Sequence, residues 1–340
     1  MIVVRREFLG HCAEVTLLPM KIFCDTPLDE VSRSLLVVGA AAHEIVFTKT
    51  VAASVLAKPE VDPALLEAEI AFGQPDLESI ARNKHLRWVH VSTAGVTRYD
   101  TAEFRAMAAA RGLIVTNSSS VYAVPCAEHI MSFMLANARW LPHCLSSHAE
   151  NGAAEWHQLR QSSTSLHRQS VVILGYGAIA RELVKLLAPF EMQITAIRRR
   201  PRGDEGVRTV TAENLSASLA TADHVINILP ENPESKHFIN AARMDEMKQG
   251  AALYNIGRGS TVDQDALLES LRSCHLSAAW LDVTEPEPLP ADHPLRSEPN
   301  CFITPHTAGG HGGEMGTLVR HFLANLNAFS NGGELADRVM

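Results

Sequence analysis

Long apolar runs are missing from the 340-residue sequence. The stretch that begins at Leu35 is broken at His43 and Glu44, well short of the roughly 20 residues needed to cross a bilayer. No membrane partner is expected. Basic residues are also outnumbered, 30 Lys and Arg against 38 Asp and Glu for a net charge of -8, so the electrostatic footprint required by a phosphate backbone is absent. Nucleic acid is not an expected partner. The six cysteines (Cys12, Cys24, Cys126, Cys144, Cys274, Cys301) include no CxxC pair, which argues for reduced thiols, read as packing residues, over a disulfide or zinc framework. His143, Cys144, His148 and His157 lie close together, but their spacing puts no ligand set on one helix face, and no metal is expected. Arg5, Arg6, Glu7 and His11 interrupt the start where a secretory signal would be apolar, so a cytoplasmic location is expected.

What is present is alternation. Lys21 to Cys24, Glu44 to Thr48, Ala68 to Phe72, Leu86 to Val91 and Leu113 to Thr116 read as strands separated by helix-length segments. A second series follows at Val171 to Leu174, Gln193 to Ile197, His224 to Leu229, Ala251 to Asn255, Ala278 to Val283 and Cys301 to Thr304. Such alternation implies right-handed βαβ units and parallel sheets with helices on both faces. The chain is too long for one core of ordinary size, so two α/β domains are expected. Ala127 to Trp140 reads as a helix with Pro125 just before it. His143 to Gln169 reads as a polar surface connection, and Glu314 to Phe329 as a closing helix entered through Gly309, Gly310, Gly312 and Gly313.

The segment VVILGYGAIA, Val171 to Ala180, places an apolar strand, a glycine turn and a helix start in order. Gly175 permits the tight turn, Gly177 lets a pyrophosphate approach the backbone, and Ala180 allows close packing of helix on strand. Free amides at the helix start, near Tyr176, Ala178 and Ile179, would face the phosphates. Where an acidic residue would hold the ribose 2′-OH of NAD, the sequence has Arg198, Arg199 and Arg200. Arginine there suits a 2′-phosphate, so NADP(H) is expected to be preferred, with NAD(H) the secondary choice.

Three further segments carry a resemblance: NIGRG at Asn255 to Gly259, DVTEPEP at Asp282 to Pro288, and Pro305 with His306. Downstream of the glycine turn and in this order, they are similar to the D-isomer-specific 2-hydroxy-acid dehydrogenase family, with likeness from about Met20 to Phe329. The resemblance implies two Rossmann-like doubly wound α/β domains, a dinucleotide-binding domain and a smaller flavodoxin-like substrate domain. Residues 20–120 with 310–340 would form the substrate domain, residues 121–309 the NAD(P)-binding domain, and residues 1–19 a dispensable extension. It also implies reduction of a 2-keto acid of the glyoxylate or hydroxypyruvate kind to the D-2-hydroxy acid. A homodimer is implied too, with Ala127 to Trp140 near its interface.

The chemistry explains the residue types. Hydride arriving at a keto carbon builds negative charge on its oxygen, which calls for a fixed cation and a proton donor. By resemblance, Arg258 is the cation and carboxylate fork, His306 the acid and base, and Glu287 the carboxylate that orients His306 and favours its charged form. Asp282 is similar to the residue that binds the nicotinamide carboxamide. Leu229, Pro230, Ile256 and Gly257 fall at cofactor-lining positions, and the amides of Ala94 and Gly95 at those receiving the substrate carboxylate. Formate oxidation is disfavoured because Glu287 stands where glutamine would be expected, and no regulatory tail of the phosphoglycerate dehydrogenase kind is expected. Two other functions fit the same motifs: an NAD-sensing corepressor of this fold, and a dehydrogenase of an unusual acid such as phosphite.

Overall fold

The computed structural model describes residues 18–48, 61–147 and 152–340. Of the expected 1–19 extension only Leu18 and Pro19 fall among these, and Cys12 and His148 lie outside them. The chain divides into two compact units, Met1–Val121 with His311–Met340, and Tyr122–Gly310.

In the first unit, β1 (Lys21–Cys24), β2 (Glu44–Phe47), β3 (Ile70–Gly73), β4 (Trp88–Val91) and β5 (Ile114–Thr116) form a parallel sheet in the order β2-β1-β3-β4-β5, the flavodoxin-like order. Ile22 lies between Ile45 and Ile70 in register. Every residue of β3 and β4 is buried, as expected of parallel strands covered on both faces. One face packs Phe23, Ala71, Val89, Tyr99 and Phe104. The other takes Phe322 of the helix Glu314–Ser330, which stacks on Phe72 at 4.4 Å and Trp88 at 5.2 Å between ring centroids. These aromatic contacts bind the end of the chain into the first unit. Gly39 allows the helix Glu30–Gly39 to press on this closing helix, since a Cβ there would meet Leu323 Cδ1 at 2.3 Å.

The second unit holds β6 (Ser170–Leu174), β7 (Gln193–Ile197), β8 (Arg208–Val210), β9 (His224–Asn227), β10 (Ala251–Asn255), β11 (Leu276–Leu281) and β12 (Cys301–Ile303). Their order is β12-β11-β10-β9-β6-β7-β8, all parallel. The winding reverses between β6 and β9, and open α/β sheets bind ligands beyond the carboxyl ends of the strands at such a reversal. Side chains alternate between two apolar layers, Val171 and Ile173 facing one and Val172 and Leu174 the other.

The structure corrects several local readings. The helix expected from Ala127 begins at Ser119, ends at Ala138, and contains Pro125; the proline lacks the N–H that would reach the Val121 carbonyl. The stretch from His143 to Gln169 is not merely a connection, because helices Leu141–Ser146 and Ala153–Ser162 occupy much of it. Its polarity concealed them. Strand β8 went unread because RTV at a sheet edge has no apolar alternation to reveal it. The strand expected to reach Leu229 stops at Asn227, whose side chain bonds to Asn255 at the end of β10 and to Thr261 in the turn that follows. Cys144 and Cys274 are exposed and so are not packing residues, unlike Cys24 and Cys126.

Candidate active site

At the carboxyl end of β6, Gly175 has a φ of +104°, and a Cβ there would lie 3.3 Å from the Ile228 carbonyl oxygen. Gly177 is the N-cap of the helix Ala178–Leu187 and supplies no side-chain cap. A Cβ at Gly177 would meet nothing within 4 Å. The helix thus opens with uncapped amides, including those of Ala178 and Ile179, facing open space, a cradle for an anion. Ala180 is fully buried against the sheet. These residues fit a dinucleotide pyrophosphate.

Beyond β7, the Arg198 guanidinium donates to Glu205 at 2.9 Å, and the same carboxylate accepts from the Arg202 and Gly203 amides at 2.7 and 2.8 Å. The backbone bonds from Arg202, with those of neighbouring residues and Arg198, hold the Glu205 carboxyl down to about 2. The Tyr176 hydroxyl donates to the Glu205 carbonyl, tying the glycine turn to this loop. Arg199 lies farther out, 81% exposed, 3.3 Å from an equally open Glu234.

Arg258 follows β10 in a segment sealed by its two glycine neighbours. A Cβ at Gly257 would lie 2.6 Å from the Leu229 carbonyl oxygen, and one at Gly259 would lie 2.0 Å from the Thr284 carbonyl carbon. Glycine is therefore required on both sides by the close approach of backbone. Buried Asn227 and Asn255 join beneath: Asn227 Nδ2 donates to Asn255 Oδ1 at 2.8 Å and to Thr261 Oγ1 at 2.6 Å, and the Gly257 and Leu229 amides donate back at 3.1 and 3.3 Å. Ile256 is buried, and the Pro230 carbonyl accepts from Ser235 at 2.6 Å. The Arg258 guanidinium donates to the Gly257 carbonyl at 2.7 Å. Among the described residues it has no carboxylate partner, leaving a cation ready for an anionic substrate.

The turn after β12 carries His306 at a φ of +53°, a left-handed conformation that costs a non-glycine residue about 1–2 kcal/mol. His306 Nδ1 is hydrogen-bonded to Glu287 Oε1. With Nδ1 occupied by the carboxylate, Nε2 is the ring nitrogen left to exchange a proton with a ligand. Asp282, at the end of β11, is 2% exposed and accepts from Thr304 Oγ1 at 2.6 Å, the Thr307 amide at 2.8 Å and the Ala308 amide at 2.9 Å. Cys126 is buried close by. Burial pushes its thiol up to about 12, with Asp282 adding to the effect and Arg258 opposing it.

Ala94 and Gly95 belong to the first unit, in the loop after β4. Thr93 Oγ1 donates to the Gly95 carbonyl at 2.7 Å, Asn117 Nδ2 to the Ala94 carbonyl at 2.6 Å, and Gln74 Nε2 to Thr93 Oγ1 at 3.0 Å. Among the described residues neither the Ala94 nor the Gly95 amide donates a hydrogen bond. The asparagines beneath Arg258, with Thr261 and Thr304, were missed as contributors. The available signal was asparagine closing two otherwise apolar strands, HVIN and AALYN. A cavity of about 320 Å³ lined by Trp140, His143, His224, Trp280 and Phe302 lies at the opposite, amino-terminal edge of the larger sheet, away from these groups.

A dinucleotide cradle, an unpaired arginine and a carboxylate-bound histidine at the strand ends of one doubly wound sheet define a nicotinamide-dependent oxidoreductase. The sequence model of the D-isomer specific 2-hydroxyacid dehydrogenase family, NAD binding domain, matches residues 131–308. A glyoxylate/hydroxypyruvate reductase B from Pectobacterium atrosepticum is 32% identical over 257 residues, 73% of this chain and 78% of that protein. The human glyoxylate reductase/hydroxypyruvate reductase is 34% identical over 199 residues, 58% of this chain and 60% of that protein. Among solved structures, an NADPH-dependent glyoxylate/hydroxypyruvate reductase from Sinorhizobium meliloti, in complex with citrate, superposes with a TM-score of 0.71 at 25% identity, covering 94% of this chain and 97% of that one. The chain belongs to the D-isomer specific 2-hydroxyacid dehydrogenase family.

Proposed function

We propose that the protein reduces a small 2-keto acid of the glyoxylate or hydroxypyruvate kind to the D-2-hydroxy acid, with NADP(H) preferred over NAD(H). The observation that carries this reading is the His306–Glu287 pair on the turn after β12. The bound nicotinamide dinucleotide supplies the hydride. Arg258 holds the substrate through its carboxylate and carbonyl oxygen, and its fixed charge offsets the negative charge that develops on that oxygen. His306 delivers a proton to the oxygen from Nε2, and Glu287 fixes the ring and stabilises its charged form. In the reverse direction the neutral ring takes the proton back. The amides of Ala94 and Gly95 are assigned to a substrate carboxylate because both are free to donate.

The cofactor preference rests on the basic loop after β7. Arg198 is already neutralised by Glu205, so Arg199 is the more available of the two. Its exposed pair with Glu234 contributes under about 1 kcal/mol and is readily exchanged for a phosphate. A panel of keto acids assayed with NADPH and with NADH tests the proposal. Turnover of glyoxylate or hydroxypyruvate, faster with NADPH, is the expected result, and no turnover of any 2-keto acid would refute it.

A further inference from the structure

Asp282 is built into the protein in a way that a cofactor-facing carboxylate does not require. Oδ1 accepts from both Thr304 Oγ1 and the Thr307 amide, and Oδ2 accepts from the Ala308 amide, so three of about four acceptor positions serve the turn that carries His306. The Asp282 carbonyl takes a fourth bond, from the His306 amide at 2.9 Å. Its own amide is fixed to the Asn255 carbonyl at 2.9 Å, anchoring it to the adjacent strand. Thr304, having donated its hydroxyl proton to Asp282, can accept from His129 Nε2 at 3.3 Å; His129 lies 3.7 Å from Asp282 Oδ1 and packs its ring against Phe133 at 4.3 Å. A chain of polar contacts therefore runs from the helix Ser119–Ala138 through Thr304 to the carboxylate, and from there to both residues that follow His306.

We propose that Asp282 and Thr304 are positioning residues that hold His306 in its left-handed turn, so that Nδ1 stays on Glu287 and Nε2 faces the substrate, and that this is the main office of the Asp282 carboxylate. The assignment rests on the reading of His306 as the proton-transfer group. The His306 amide also bonds to the Asp282 and Thr304 carbonyls at 2.9 and 3.1 Å, which fixes the entry to the turn, while the bonds from residues 304, 307 and 308 to the Asp282 carboxylate flank the left-handed residue on both sides. Without those carboxylate bonds the ring would lose its alignment while the dinucleotide cradle at Gly175 and Gly177 stayed intact.

The test compares Asp282→Asn, Thr304→Val and Thr304→Ser in the full chain. Asparagine keeps the shape of Asp282 but removes its charge and one acceptor. Valine removes the hydroxyl of Thr304, and serine restores it. Expected is a fall in kcat for keto-acid reduction of about ten- to a hundredfold for Asp282→Asn and about five- to tenfold for Thr304→Val, as for a lost bond to a charged group. Thr304→Ser should return close to the parent rate, and NADPH affinity measured by calorimetry should stay within about threefold in all three, which separates alignment from cofactor binding. A second readout needs no substrate: in protein carrying isotope-labelled histidine, the His306 ring signal, assigned by its loss in His306→Gln, should move in Asp282→Asn and Thr304→Val but not in Thr304→Ser. If the signal moves as described in a protein that turns over no keto acid, the positioning assignment stands and the reductase reading fails. Weakened NADPH binding with kcat and the His306 signal unchanged would overturn the proposal and give Asp282 to the cofactor.

Discussion

The edges of the two sheets are finished by different means. In the larger sheet, the strand ends are fixed by buried side chains, Asn227, Asn255 and Asp282, and by glycines at 257 and 259 that let backbone close on backbone. In the smaller one, the loop after β4 is held by Gln74, Thr93 and Asn117 through carbonyls and hydroxyls, with two amides left free. In the proposed mechanism the first arrangement fixes the groups that would align His306 for proton transfer. The second presents backbone donors that any residue could supply. Changes at Asp282 or His306 of the larger sheet should therefore fall on kcat, and changes at the loop of the smaller one on substrate affinity.

The largest expected effect belongs to His306→Ala, which should lower kcat in both directions by about 10²- to 10⁴-fold with little change in NADPH affinity. Weakened cofactor binding as the main defect would blur the contrast between the edges. Gly259→Ala and Gly177→Ala sharpen it within the larger sheet. The former forces a Cβ into the Thr284 backbone, so a loss of about 1–3 kcal/mol of stability is expected in denaturant titrations. The latter meets no protein atom and should leave stability near the parent value while blocking dinucleotide binding. On the smaller sheet, Asn117→Ala should raise KM for the keto acid by about three- to tenfold and spare kcat, since one bond to the Ala94 carbonyl is lost.

Acid stability also separates the two units. His224 and His90 are buried neutral, and burial pushes them down to about 4 and about 3. Because the unfolded chain binds protons first, near pH 6.5, this stabilisation is present above 6.5 and lost as pH falls towards the folded values. For His224 the loss reaches about 3 kcal/mol by pH 4. In the first unit, Asp25 acts in the opposite sense. Burial raises its carboxyl to about 6, so its penalty applies above pH 6 and is relieved as pH drops from 6 towards 3.8, offsetting much of the loss from His90. Denaturant titrations between pH 7 and pH 4.5 should show His224→Gln reducing the acid sensitivity of the second unit. Unchanged sensitivity would mean that other groups govern it.

How much of this was legible follows from the same contrast. Both sheets could be read because apolar strands recur at helix-length spacing, and the contact between Glu287 and His306 could be expected because each stands in a short motif of its own, DVTEPEP and Pro305 with His306. The sheet order, β8, and the helices between Leu141 and Ser162 could not, since edge strands and polar helices bury too little to impose a pattern. Asp282 was visible as a residue, but its acceptor bonds depend on a turn whose left-handed φ at His306 no sequence pattern announces. Arg198 looked like a free phosphate ligand because Glu205, seven positions on, folds back onto it only in three dimensions. The substrate loop of the first unit was the least legible part, because its donors are backbone atoms.

The proposed mechanism depends most directly on Glu287 acting through His306, and kcat in Glu287→Gln and Glu287→Ala, set beside His306→Ala, measures it. Glutamine preserves the shape and removes the charge, whereas alanine removes the contact to Nδ1. Both should lower kcat for keto-acid reduction, glutamine by about tenfold and alanine by about a hundredfold, with NADPH affinity within about threefold of the parent. A kcat that stays at the parent value in both while His306→Ala still lowers it would contradict the pairing.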